Sequence, residues 1–456
     1  MKLTLHIKAV AIPFVFMKNH LFALLLFFAV TLMLVTSARS AESITPTGFT
    51  ALFNGADLSG WWGASPENLR NDLALPADEL KTKQEASRAD IREHWRVENG
   101  ELANDGKGLY LTTDKVYGNF ELCVDYKTAP LADSGIYLRG CPQVQIWDST
   151  DKEKFSVGAD KGSSGLWNNS PGAPGKEPLV KADKPCGEWN KLRVIMVGTR
   201  VWVWLNDQQT VNGTVIENDF DRKQPVPPRG PIQLQTHGGK ISWKSIFIRE
   251  IGSEESNRIL RGADPTGFES VFNGKDFTGW TGATDACRVI DSAIEWLPEK
   301  GGVLHTEKEF ADFIVRLEFK LPPGSNNGLA IRYPGTGNPA YEAMTECQIL
   351  DDHFEAATGY KIDPRQAHGS AYGMIPAHRG YHHPIGEWNY QEITVKGSTI
   401  KVELNGTQIL DADLAKVTEF MDNSPHPGRD RKSGYFGFAG HNDPVMFRNI
   451  SIKPLD

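Results

Sequence analysis

The sequence predicts an all-β protein built as two tandem sandwich domains, and three observations lead there. Apolar and polar residues alternate with a period of two through many short runs. A set of phrases in the first half of the chain returns in the second half. Strands are not interleaved with helices, so βαβ units and a parallel sheet are not expected.

The repeat sets the domain count. Gly48-Phe49, Leu52-Phe53-Asn54-Gly55 and Leu58-Ser-Gly-Trp61 return as Gly267-Phe268, Val271-Phe272-Asn273-Gly274 and Phe277-Thr-Gly-Trp280. Gly187-Glu188-Trp189-Asn190 returns as Gly386-Glu387-Trp388-Asn389, and Thr236-His237-Gly238 as Gly440-His441-Asn442. The pattern is a duplicated domain of about 190 residues. The expected division is 1–41 as a targeting segment, 48–251 as the first sandwich, 252–264 as a linker and 265–456 as the second sandwich. Gly252 to Asp264 is polar and charged, as a connector should be. The chain of 456 residues is too long for one hydrophobic core, which agrees.

Each unit centres on a pair of strands. In the first, Ser134-Gly-Ile-Tyr-Leu-Arg139 is followed by Gln143-Val-Gln-Ile-Trp-Asp148. In the second, Asn327-Gly-Leu-Ala-Ile-Arg332 is followed, after a loop, by Thr345-Glu-Cys-Gln-Ile-Leu-Asp351. Alternation puts the aliphatic residues on one face and Tyr, Arg, Gln and Trp on the other. Rings, guanidinium groups and amides suit the C–H faces and hydroxyls of sugars; an ordinary polar sheet face is the plainer alternative. Further on, Lys191–Val197 and Val201–Leu205 read as a hairpin, repeated by Gln391–Val395 and Ile400–Leu404, with Asn405-Gly406 as a turn signal. Trp189 and Trp388 precede these strands and are expected in the core. The one clear helical stretch, Ala77–His94, is polar almost all round and reads as a peripheral element or a lid.

Composition excludes some classes. The net charge of −8 and the lack of a basic run argue against nucleic acid as a partner. No glycine-rich phosphate loop and no Gly-x-Ser-x-Gly elbow occur, so neither a nucleotide cofactor nor a serine hydrolase is indicated. Leu21–Val35 is an apolar run preceded by Lys18 and followed by Ala38, Ser40 and Ala41, the pattern of a cleavable secretory signal; export to the periplasm or beyond is expected, with no stable membrane span after cleavage. Met17 could equally be the start. A retained anchor is the alternative. The five cysteines, Cys123, Cys141, Cys186, Cys287 and Cys347, show no framework or metal spacing and read mostly as small buried residues. Bridges Cys123–Cys141 and Cys287–Cys347 stay open. Oligomeric state is not readable.

Taken in order, these phrases resemble the 3-keto-disaccharide hydrolase domain family, over nearly the whole of residues 48–456, twice. The resemblance implies concanavalin A-like jelly-roll sandwiches with a carbohydrate-binding concave face, and action on glycosides whose sugar carries a 3-ketone. The ketone acidifies C2–H, so the bond to the aglycone can break by elimination and water can add back. Such a route needs a base, an acid at the glycosidic oxygen and an electrophile at the ketone.

In the second copy this chemistry falls to Glu346 as base, Asp351 or His441 as acid and Arg332 as electrophile. In the first copy it falls to Asp148, His237 and Arg139, with Gln143 standing where the second copy has Glu346. Gln145, Gln348, Tyr137, Trp147, Trp167 and Tyr372 are the sugar-binding candidates. Each has a structural alternative: Arg139 and Arg332 as ion-pair partners of Asp148 and Asp351, the two aspartates as strand ends, the histidines as turn residues. The second copy is also rich in histidine (His353, His368, His378, His382, His383, His426, His441), so a calcium or similar divalent ion is an option through Asp351-Asp352-His353 or His382-His383. Three functions are in play: a keto-glycoside hydrolase, a lectin-like binding protein, or one catalytic and one binding domain.

Overall fold

The computed structural model describes residues 45–455; the expected signal segment, residues 1–41, lies outside them. Among the described residues no helix is long and apolar enough to cross a membrane. The chain is all-β: two concanavalin A-like sandwiches, each an eight-stranded sheet packed on a five-stranded sheet. Every strand pair is antiparallel.

The five-stranded sheets carry the candidate sites. In the first sandwich the order is Trp61–Ala64, Tyr110–Thr113, Gln233–Leu234, Asp133–Leu138 and Cys141–Trp147. In the second it is Trp280–Gly282, Gly301–Phe310, Gly434–His441, Asn326–Tyr333 and Thr345–Leu350. The registers correspond. Tyr137 faces Gln143 and Gly135 faces Gln145, as Ala330 faces Glu346 and Gly328 faces Gln348. The inward aliphatic residues, Ile136, Val144 and Ile146 in one copy and Leu329, Cys347 and Ile349 in the other, are fully buried against the larger sheet. Period-two alternation thus fixes both which face is core and which side chains reach the other face.

Ala77–His94 is helical as its sequence predicts, and buries Ser87 and Ile91 against Trp61–Ala64. Its Ser87 hydroxyl accepts a hydrogen bond from Gly63 N at 2.9 Å, which ties it to the sheet. The connector differs from expectation. Ser253–Ala263 is an α-helix that buries Ser256, Asn257 and Leu260. Leu260 packs with Val197, Trp202 and Tyr390, so this short helix joins the two sandwiches through an apolar patch. Ile259, Leu260 and Ala263 are its apolar residues, and in so polar and charged a segment they read as part of a connector. The sandwiches also meet directly: Thr199 N donates to Gly406 O at 2.9 Å, and Arg200 Nε to Glu403 Oε1 at 2.9 Å.

Two further expectations are corrected. Trp189 and Trp388 are not core residues; they lie half-buried on the outer sheets beneath cations, Lys244 at 4.0 Å from one ring and Arg448 at 4.0 Å from the other. All five cysteines are free, so neither candidate bridge forms.

Candidate active site

The second sandwich presents a cavity of about 300 Å³ on its five-stranded sheet. Glu346, Gln348 and Leu350 project into it from one strand, because they share the face opposite Cys347 and Ile349. Glu346 is buried, 3% exposed. Its carboxylate lies over Gly328 on the neighbouring strand, where any Cβ would collide with it. This explains the glycine of the Asn-Gly-Leu phrase: it makes room for the acid. The flanking positions are small as well, Ala330, Gly437 and Ala439.

His441 ends the adjoining strand, and its Nε2 lies 3.8 Å from Glu346 Oε1. The Glu346 carboxylate raises the His441 pKa, against the opposing effect of burial. Gln348 Nε2 donates to Asn326 Oδ1 at 2.7 Å, leaving Gln348 Oε1 buried without a partner. A buried acceptor facing a cavity is suited to a ligand hydroxyl. Tyr372 Oη accepts from Gln366 Nε2 at 3.0 Å, so its own proton is free to point elsewhere. Burial pushes the Tyr372 pKa up and keeps that proton in place. The Tyr341 ring stands perpendicular to Tyr372, 6.4 Å between centroids. Tyr341 arrives on the short helix Pro339–Glu342, in a loop that replaces the tight Arg139-Gly140 turn of the first copy.

Of the residues expected in this site, Glu346, His441, Gln348 and Tyr372 come together. Arg332 and Asp351 do not. Arg332 is 1% exposed, and its guanidinium donates to Ala311 O, Gly397 O, Arg431 O and Asp312 Oδ1, away from Glu346. It is paired with Asp312 and not with Asp351. Asp351 sits at the strand end, where its carboxylate accepts from Gly324 N and His353 N. It falls on the core-facing side of the alternation.

The first sandwich has the same frame and a closed interior. Gln143 Nε2 donates to Gln145 Oε1 at 2.7 Å, and Gln145 Nε2 to Asp133 Oδ1 at 2.8 Å. Asp133 Oδ2 takes Lys154 Nζ at 2.7 Å and lies 3.0 Å from His237 Nδ1. Burial opposes it, yet His237 and Lys154 together hold the Asp133 carboxyl below the usual range. Tyr137 packs on Tyr110 with centroids 5.5 Å apart, and Gln235 Nε2 donates to Tyr110 Oη. These side chains occupy the positions that are Ala330, Val303 and Ala439 in the second copy.

The remaining first-copy expectations are corrected accordingly. Asp148 accepts from Leu131 N, Thr150 N and Thr150 Oγ1, a turn role at the strand end. Arg139 is 3% exposed and donates to Gly118 O, Pro227 O and Asn119 Oδ1, none of them part of the Asp133–His237 network. Trp147 is buried, with its indole N–H on Gly162 O at 2.9 Å, and Tyr137 is equally enclosed, so neither offers a stacking face. Trp167 does remain accessible, 37% exposed, with Lys176 Nζ 5.2 Å from its ring. Trp167 and Tyr372 are counterparts: Gln145 and Gln348 exchange backbone hydrogen bonds with Ser164–Gly165 and Gly369–Ser370, two residues earlier.

Sequence reading missed Asp133, Asn326, Tyr341 and Gln366. Asp133 and Asn326 lie one residue before the phrases singled out, on the side that alternation assigns to the site. Tyr341 and Gln366 come from loops, where no periodicity points to them. Among the described residues no three His, Cys, Asp or Glu side chains are placed to hold a metal ion. Asp352 instead lies 3.0 Å from His382 Nδ1, and the His382 and His368 rings meet at 4.2 Å.

Comparison with known proteins follows the same division. The 3-keto-alpha-glucoside-1,2-lyase-like domain matches residues 48–249 and again 267–453. A 3-keto-disaccharide hydrolase of Bacteroides thetaiotaomicron is 28% identical over 251 residues, 46% of this chain and 86% of that protein. Two candidate glycosyl hydrolases of known structure from Parabacteroides distasonis are 25% and 26% identical, with TM-scores of 0.36 and 0.37. They cover 42% and 41% of this chain, and 95% and 99% of their own. With matches spanning most of its length in two segments, the chain belongs to the 3-keto-alpha-glucoside-1,2-lyase-like domain family.

Proposed function

We propose that the second sandwich cleaves 3-keto-glycosides by elimination across C1–C2 of the keto-sugar and rehydration of the enone. The observation that carries this reading is the Glu346–His441 pair, set in a cavity beside the unpartnered Oε1 of Gln348. Glu346 takes the proton from C2. The C2–H electron pair forms the C1=C2 bond as the C1–O bond breaks, and His441 protonates the departing oxygen. Water then adds at C1, losing a proton to His441, while Glu346 returns its proton to C2. Tyr372 is the electrophile that Arg332 cannot be: its phenol, held by Gln366, donates to the ketone oxygen as negative charge develops there.

The first sandwich is proposed as the non-catalytic copy, because Gln143 stands in place of the base and Tyr137, Tyr110 and Gln235 pack over the matching sheet positions. The accessible Trp167 favours a binding role there over none. The run Leu21–Val35 supports export of the chain, which fractionation of expressing cells would test.

The reaction is tested by incubating the protein with a 3-keto-glucoside and with its unoxidised parent, with and without a chelator. Aglycone release from the keto-substrate alone is expected. Equal release from both, or none from either, overturns the reading; binding without release would favour a lectin-like protein.

A further inference from the structure

A second cavity, about 440 Å³, lies between the two sandwiches. Arg139 and Arg229 line it from the first domain, Tyr381 and His382 from the second. Arg139 is the informative residue, because its counterpart Arg332 shows what is missing. Arg332 Nη2 donates to Asp312 Oδ1, and the same oxygen accepts Gly397 N. Arg139 Nη2 donates to Asn119 Oδ1, and the same oxygen accepts Gly198 N. Asn119 therefore stands where the second copy has Asp312, with the hydrogen bonds kept and the charge removed.

The result is a buried guanidinium without a counter-charge. Its three partners are neutral, and among the described residues no carboxylate pairs with it. Burial, with Arg229 nearby, presses its pKa down to about 9. An uncompensated buried charge is costly, and proteins that keep one usually supply an ion for it. Across the cavity His382 is nine-tenths buried, and its Nε2 has no partner. The acids nearby are engaged. Asp352 lies against His382 Nδ1 and accepts Gly380 N, Asp351 accepts backbone N–H groups, and Glu250 joins Arg229 to Lys115. Glu387 is exposed at the edge.

We propose that this interdomain cavity binds a small oxyanion, the carboxylate, phosphate or sulfate group of a soluble ligand, against Arg139 and Arg229. The ligand would span both domains and so stabilise their union.

The test is thermal unfolding of the whole chain in phosphate, sulfate or glucuronate, each against chloride at matched ionic strength. At least one anion is expected to raise Tm by about 3 °C at saturation. Asn119→Asp, which restores the arrangement of the second domain, should raise Tm in chloride and abolish the anion response. Arg229→Gln, at an exposed position, should weaken the anion about tenfold and guards against a misfolded Asn119→Asp. A general salting effect would survive both substitutions. The proposal is overturned if all three anions match chloride, or if the variants respond as the parent does. The arms also separate the sources, since glucuronate alone, phosphate alone or sulfate alone names the group recognised.

Discussion

Tyr137 of the first domain and Ala330 of the second stand at the same point of the same strand, each opposite the residue that is Gln143 in one copy and Glu346 in the other. That pair, together with Tyr110 at the place of Val303 and Gln235 at the place of Ala439, separates the filled face from the open one. A ring at the first position closes the sheet face over Tyr110, and a methyl group at the second leaves the Glu346 carboxylate facing a cavity. Ala330→Tyr should therefore fill the second site much as nature has filled the first. The expected outcome is a rise in KM of at least about tenfold, since even small steric changes in a pocket are worth ~1–3 kcal/mol. Circular dichroism would verify that the sandwich is retained, and an unchanged KM would refute the equivalence.

Glu346→Gln makes the second site chemically like the first while preserving its shape. Loss of a general base costs about 10²–10⁴ in rate. We expect that loss in kcat with little change in Tm. The converse, Gln143→Glu, should give the first domain no activity, because Tyr137, Tyr110 and Gln235 still occupy the space. Activity that survives Glu346→Gln would remove Glu346 from the mechanism.

The pH profile follows from His441. Its pKa is raised because the Glu346 carboxylate favours the protonated ring, and burial only partly offsets this. The folded value lies above the ordinary 6.5. Stabilisation from this pair is thus complete below the unfolded pKa and is lost as pH rises through the folded one. The ring supplies the leaving group's proton in its charged form, so kcat/KM should fall on the alkaline side, at a pH above 6.5. His441→Gln should abolish that limb along with most of the rate; an alkaline limb that persists would assign the acid elsewhere.

Tyr372→Phe removes the proposed electrophile and keeps the ring. Removing one donor from an oxyanion site costs about 10²–10³ in kcat. The ring and its edge-to-face contact with Tyr341 are retained, so KM should move little. A change in KM alone would make Tyr372 a binding platform only.

The fold was legible because its signals are local and repeated. Alternation in Ile136-Tyr-Leu and Val144-Gln-Ile gives the strands, and two copies give the domains. Within the site, Glu346, Gln348 and His441 were legible for the same reason: each lies on a strand or at its end, where the period assigns a face. Arg332 misled because it closes its phrase where the chain leaves regular strand geometry, and Asp351 because its carboxyl chemistry suggested the site although the alternation puts it on the core side. Arg332 has φ of 51° and Arg139 of 57°, so a strict period of two no longer predicts where either side chain goes. Tyr341 and Gln366 were illegible because their places depend on loop paths that no pattern encodes.

The departure of Arg332 from the site yields a prediction of its own. The residue is buried, donates to three backbone carbonyls and pairs with Asp312 at 2.6 Å. These bonds tie the strand Asn326–Tyr333 to Ala311, Gly397 and Arg431, well separated along the chain. Arg332→Met removes the charge, leaves three backbone carbonyls without their side-chain donor and leaves Asp312 Oδ1 only Gly397 N, a change that costs about 1–3 kcal/mol for each buried acceptor left unmet. Denaturant unfolding of the second domain should show that loss. If Arg332 polarised the ketone, the same variant would instead lose kcat at nearly unchanged stability. Our structure predicts the first result: a fall in stability, with kcat and KM of the folded fraction close to those of the parent.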